Sequence, residues 1–190
     1  MVPELELSPT KGIVRVAVPR EDVNLLDAAC RGASDGLMLT LNVAAMLIAF
    51  IALIAFVNWI LGLFGDVGNQ PLTLERITGY LFVPFAWAMG IEWKDIPTIA
   101  RLLGLRTVLN EFIAYQELTS IKETLSPRSF IIASYAICGF ANFGSIGVMI
   151  GGIGRLVPER RSELAILGFR SMVAGTLACY MTACIAGILL

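Results

Sequence analysis

This sequence predicts an all-α integral membrane protein, with transmembrane helices plus a re-entrant helical hairpin and an amphipathic interfacial helix. Three observations predict it. Of the 190 residues, 57% are hydrophobic and 15% charged, where soluble domains carry about a quarter charged, and the mean hydropathy is +0.78. The apolar residues are bunched: no charge falls between Asp35 and Asp66, between Arg128 and Arg155, or after Arg170. Each of those runs has the roughly 20 residues that a helix needs to cross the hydrocarbon. Finally, polar islands interrupt the chain, and a charge at membrane depth normally faces a cavity, a partner or a substrate.

Residues 1–34 read as a polar arm followed by an interfacial helix. The arm holds a short strand-like run, Ile13 to Val18. Glu21 to Ala29 has helical amphipathic spacing, with its acids at the start, where a helix N-terminus favours negative charge. Val23, Leu25, Leu26 and Ala29 are then free to face a membrane surface or a protein groove. Four basic residues in this stretch (Lys11, Arg15, Arg20, Arg31) stand against five acids, so it holds no polybasic anchor. The acidic start also shows no apolar run of the signal-peptide kind. Gly32-Ala33-Ser34-Asp35-Gly36 predicts a break before the first span, placed at 35–64.

Residues 72–118 predict an interfacial segment and the re-entrant hairpin. Ile77 to Ile91 is apolar for only 15 residues between Arg76 and Glu92 and contains Pro84, which is short for a crossing. Asp95 to Leu118 carries Asp95, Arg101, Arg106, Glu111 and Glu117 among apolar residues, and Gly104 is the expected break between its two arms. Non-helical backbone at that depth needs protein or water around it. Ser126-Pro127 opens a broken transmembrane helix over 127–156, and 162–190 forms the last span. Arg155, Arg160, Arg161 and Arg170 crowd the loop region between those two, against Glu159 and Glu163, whereas Gly65 to Thr73 has no basic residue. The positive-inside rule puts the arginine loop inside and the first loop outside. The 77–118 region then enters and leaves on the outer face.

Several function classes are excluded. A formal net charge of −1 gives no basic surface for a nucleic-acid partner. Absence of histidine removes Ser-His-Asp and Cys-His catalysis and the usual zinc sites. Cys30, Cys138, Cys179 and Cys184 lack ligand-like spacing and behave as small hydrophobes. No nucleophile is paired with a base, so the chain is not read as an enzyme.

Two polar islands remain. Asn110-Glu111 places an amide beside a carboxylate, and a carboxylate accepts hydrogen bonds from hydroxyls, the paired hydroxyls of a sugar included. Glu111 could equally pair with Arg101 or Arg106, or sit in a water-filled vestibule. In the second island, Phe140-Ala141-Asn142-Phe143-Gly144-Ser145, the side chains of Asn142 and Ser145 share a helix face at a spacing of three. Gly139, Gly144, Gly147, Gly151 and Gly152 crowd the same stretch. Close helix packing through small residues explains them, and so does an unwound span whose polar groups line a binding site. In the second case Phe140 could stack against a ring.

These residues resemble the concentrative nucleoside transporters. The family signature Gly/Ala-x-Lys-x-x-x-Asn-Glu-Phe-Val-Ala-Tyr/Met/Phe is met by Gly104 to Tyr115 with two changes, Arg106 for lysine and Ile113 for valine. Cys138-Gly139-Phe140-Ala141-Asn142 with Ser145-Ile146-Gly147 resembles a second signature. Gly32 to Gly36 with Leu41 to Leu47, and Ala174-Gly175-Thr176 with Met181 to Gly187, extend the likeness over nearly the whole chain. The resemblance implies a homotrimeric symporter in the plasma membrane (the inner membrane of a bacterium), multi-pass, importing nucleosides with Na⁺ or H⁺ by an elevator-like movement. It implies that Glu111, Asn142 and Ser145 hold ribose, that Phe140 lines the site, and that Asn110 and Arg106 support it.

Only the second of the family's two inverted repeats is matched. The Gln-Thr-Glu hairpin that reads the base, and the sodium ligands, belong to the other half. No resident cofactor is expected, Met1 reads as an internal methionine, and the N-terminal half of a transporter is an expected partner alongside the bilayer, the nucleoside and the cation. The alternative is a non-transporting relic or membrane subunit.

Overall fold

A computed structural model describes residues 23–65 and 71–190. Among these residues the regular structure is helical, without β-strands. The polar arm and the strand-like run Ile13 to Val18 lie outside the described residues.

The first helix, α1, spans Leu25–Gly62 and begins where Asn24 caps it: the Asn24 side chain accepts from the Asp27 amide at 2.9 Å. Asp27 in the first turn meets the positive helix end and accepts in return from the Val23 amide at 3.0 Å. The expected division into an interfacial helix and a separate span does not occur, because α1 runs unbroken through 32–36. A glycine ends a helix when it turns left-handed, and among the described residues only Gly65 and Gly90 have positive φ. Gly32 and Gly36 stay helical at about 1 kcal/mol each relative to alanine, and Thr40 donates back to the Gly36 carbonyl at 2.8 Å.

Next come α2 (Leu74–Ala88) and α3 (Ile96–Val108), which pack against each other along their length. Two glycines make this contact possible. A Cβ on Gly79 would stand 3.1 Å from the Arg101 Cα, and one on Gly104 would stand 2.5 Å from the Glu75 carbonyl oxygen. Gly104 is therefore a crossing point inside α3, not the expected break. The break falls at Leu109-Asn110, where the Asn110 side chain caps α4 (Glu111–Ser120) by accepting from the Ile113 amide at 2.9 Å. At the other end of this unit, Asn58 of α1 accepts from the Leu74 amide at 2.8 Å and donates to both oxygens of Glu75 at 3.0 and 3.1 Å.

The stretch 127–156 is in two pieces, α5 (Pro127–Ile137) and α6 (Phe143–Leu156), with residues 138–142 unwound between them. Neither piece is long enough to cross a bilayer alone. A short turn of 3₁₀ helix leads into α7 (Arg161–Leu189). The helices long and apolar enough to cross a membrane are α1 and the continuous stretch Pro158–Leu189. The hydrophobic core is built from α2, α3, α4, α5 and α7, with Ile99, Leu102, Leu103, Ile132 and Ile137 fully enclosed. Outside it, α1 lies along the glycine face of α6, where Gly147 receives the Phe50 ring.

Candidate functional site

Both polar islands sit at helix starts, and the fold brings the two starts together. Asn142 is the N-cap of α6. Its Oδ1 accepts from the Ser145 amide at 2.7 Å, and the Ser145 hydroxyl accepts from the Asn142 amide at 3.2 Å, a reciprocal capping box. That hydroxyl donates to the Asn142 carbonyl at 2.6 Å. With its oxygen committed to the helix, the Asn142 amide nitrogen turns outward and donates to Glu111 Oε2 at 2.9 Å. Glu111 is the first residue of α4, so its carboxylate meets the positive end of its own helix and faces that of α6. A Cβ on Gly144 would lie 3.8 Å from the Leu109 carbonyl, so the α3–α4 junction rests on the start of α6.

Glu111, Asn142 and Ser145 are thus one connected group, with Asn142 fully buried and Glu111 half-buried. Asn110 supports it as the α4 cap. Phe140 lies in the unwound stretch beside Asn142 and is 60% exposed, touching none of the three by hydrogen bond or ring contact among the described residues. Phe140 and Ser145 also line an apolar crevice of about 580 Å³ between α1, α6 and α7. Glu111 and Asn142 do not line that crevice.

The ion-pair alternatives for Glu111 are settled by where the arginines go. Arg101 pairs with Glu117. Arg106, wholly enclosed at 0% exposure, donates through Nη1 to Thr176 Oγ1 at 3.0 Å and through Nη2 to the Gly139 carbonyl at 2.9 Å. Its Nε–H has no partner and no carboxylate pairs with it among the described residues. The family resemblance gives Arg106 a supporting role at the site; in the fold it joins α3 to the unwound stretch and to α7.

Two residues that complete this arrangement were singled out only as parts of motifs. Tyr115 donates its hydroxyl to the Ser134 carbonyl in the last turn of α5 at 2.6 Å, and Thr176 receives Arg106. Their signal was a polar group inside an apolar run. A threonine hydroxyl in a helix can also bond back one turn, and a tyrosine hydroxyl reaches whatever distant element packs beside it, so the signal does not name a partner.

A broken helix with polar side chains at the break, in a chain with membrane-length helices, is the architecture of secondary transporters. The family model described as the Na⁺-dependent nucleoside transporter C-terminus matches residues 1–187, and the chain belongs to this family, the concentrative nucleoside transporters, in its C-terminal region. Among relatives, solute carrier family 28 member 3 of Mus musculus is 46% identical over 182 residues, which is 87% of this chain and 26% of that protein. Sodium/nucleoside cotransporter 1 of Rattus norvegicus is 42% identical over 204 aligned residues, covering 98% of this chain and 32% of that protein. The uncharacterized transporter YutK of Bacillus subtilis (strain 168) is 46% identical over 189 residues, covering 98% and 47%.

Among solved structures, a CNTnw variant in an outward-facing state superposes with a TM-score of 0.80 at 41% identity, over 90% of this chain and 44% of that one. CNTnw in an inward-facing substrate-bound state gives 0.67 at 40% identity, over 93% and 44%. The chain spans less than half the length of each of these relatives. The relatives named here are transporters, not enzymes, and membership of their family makes this chain a membrane protein.

Proposed function

We propose that this chain is the C-terminal half of a cation-coupled nucleoside symporter and supplies the ribose-binding side of its site. One observation carries the proposal: Glu111 and Asn142, from two separate motifs, meet at 2.9 Å across two facing helix starts in an otherwise apolar chain. Once Asn142 has used Oδ1 within its helix and one amide hydrogen on Glu111, the pair offers one remaining donor beside free carboxylate lone pairs. A vicinal diol fits that pattern: both hydroxyls can donate to the carboxylate while one of them accepts the remaining amide hydrogen. Ribose carries such a diol, and Phe140, largely exposed beside Asn142, is available to a ring.

The relatives named for sodium/nucleoside cotransport support the substrate class and sodium as the coupling ion. The 13- and 10-residue arms α3 and α4 are too short to cross, which supports a re-entrant hairpin with its tip at Leu109-Asn110. The likeness falls from 0.80 to 0.67 between outward- and inward-facing forms of CNTnw, which supports a carrier whose parts change arrangement during transport. Trimeric assembly and an elevator movement rest on the family resemblance. The base-reading hairpin and the ion ligands come from the N-terminal half of a transporter.

The test is uptake of radiolabelled uridine by cells expressing this chain with and without that N-terminal half, and by the same pair carrying Glu111→Gln. Uptake requiring both halves is expected, with an affinity loss of about tenfold or more in the variant, since a hydrogen bond to a charged group contributes about 1.5–3 kcal/mol. Undiminished affinity in Glu111→Gln removes Glu111 from the site. The alternative is a non-transporting relic or membrane subunit. It predicts no uptake by the pair with both proteins present in the membrane.

A further inference from the structure

Arg106 and Glu111 are five residues apart in the chain, and the fold sets them on opposite sides of the gap between α5 and α6. Glu111 meets the start of α6 through Asn142, while Arg106 meets the stretch that follows the end of α5 through Gly139. Helix starts carry partial positive charge and helix ends partial negative charge. The acid therefore lies at the positive end of α6, and the base beside the residues that follow the negative end of α5.

Resting on the transport function above, we propose that Arg106 is a positioning residue for nucleoside binding: it is the counter-charge of the α5 end and holds residues 138–142 unwound opposite Glu111. A buried cation is ordinarily met by a carboxylate. Arg106 is met by the Gly139 carbonyl and the Thr176 hydroxyl. The Gly139 carbonyl accepts a second hydrogen bond, from the Ala141 amide at 2.8 Å, so one oxygen of the unwound stretch anchors both the arginine and the stretch's own turn.

Space at this point is closed as well. A Cβ on Gly139 would collide with Cys179 Sγ and lie 3.0 Å from Arg106 Nη2. The stretch is therefore clamped between α3 and α7. Tyr115, from the same motif as Arg106 and Glu111, completes the dressing of the α5 end by donating to the Ser134 carbonyl. Through these contacts Arg106 sets where Phe140 and Asn142 stand without touching a substrate itself. A planar fork reaches acceptors on two elements at once, which an ammonium does less well.

The experiment is uridine uptake by cells expressing this chain with its N-terminal half, with KM and Vmax measured per amount of membrane-inserted protein. The variants are Arg106→Met, Arg106→Lys and Thr176→Val. Arg106→Met is expected to raise KM tenfold or more with a smaller change in Vmax. Arg106→Lys, which keeps the charge at the helix end, is expected to return KM to within about threefold of the parent. Thr176→Val, which spares the Gly139 link, is expected to raise KM two- to fivefold at a normal membrane level. An unchanged KM in Thr176→Val overturns the proposal even where Arg106→Met fails to reach the membrane, and so does an Arg106→Lys variant with the parent's membrane level and a KM raised tenfold or more. Absence of uptake by the unmutated pair refutes the transport function instead.

Discussion

Gly104→Ala should destabilise the α2–α3 pair, and its size can be worked from the contacts. An added Cβ would stand 2.5 Å from the Glu75 carbonyl oxygen, 2.7 Å from the Gly79 nitrogen and 2.9 Å from Thr78 Oγ1. A carbon rests at about 3.3 Å or more from an oxygen, so α2 must retreat by about 0.8 Å. Two of the three obstacles are helix backbone, which has no rotamer to escape through. Retreat unseats Phe82 and Ala86 of α2 from the core they share with Ile99, Ala100 and Leu103. Overpacking of this kind costs about 1–3 kcal/mol, and the better helix propensity of alanine returns about 1 kcal/mol.

With the backbone clash putting the penalty at the upper end, the net loss is about 2 kcal/mol. At about 2–4 °C per kcal/mol for a chain of this size, Tm should fall by about 4–8 °C. Thermal unfolding of the detergent-solubilised protein, followed through Trp87 and Trp93 beside the α2–α3 turn and compared at one scan rate, measures it. Gly32→Ala is the control, since nothing lies within 4 Å of a Cβ there; its Tm should hold or rise. A Gly104→Ala protein that behaves like Gly32→Ala would refute the crossing-point argument.

The seam between α1 and α6 makes a second prediction. A Cβ on Gly147 collides with the Phe50 ring, so Gly147→Ala should lower Tm, and Phe50→Leu should recover part of that loss with a coupling of about 0.5–3 kcal/mol in a double-mutant cycle. Additive effects would show that the two do not touch. At the other end of α1, Asn58→Leu removes the acceptor of the Leu74 amide and both bonds to Glu75. Losing a hydrogen bond to a charged group costs about 1.5–3 kcal/mol, and hydrogen–deuterium exchange should quicken in the first turn of α2; unaltered exchange there counts against the anchoring by Asn58.

Much of the candidate site was legible because its residues are anomalies: an acid, an amide and a hydroxyl stand out in an apolar chain whether or not the partners are known. Composition and charge-free runs likewise foretell membrane-length helices. What stayed hidden was pairing. Nothing in Asn110-Glu111 names Asn142 as the partner, and Arg106 is a candidate mate for Glu111 in the sequence, whereas in the fold Gly139 of the unwound stretch and Thr176 of α7 claim it. Glycine was the recurring ambiguity. The same residue type continues a helix at Gly32 and Gly36, admits a neighbouring backbone at Gly104 and receives a ring at Gly147. Only packing from distant segments chooses among these uses, which is why the breaks expected at 32–36 and at Gly104 are absent and the one at 109–110 was missed.

The arrangement of α1 has a consequence for how the molecule is made. α2 and α3 are neighbours in sequence and can zip as soon as both have been synthesised, since closing a short loop costs little entropy. α1 is made earlier but packs chiefly along α6, with much of the chain between them. Contacts so distant in sequence form late. The first of the described helices is thus among the last to find its protein neighbour, and in the interval lipid tails must cover the face that Leu39, Leu47 and Phe50 later press against the glycines of α6.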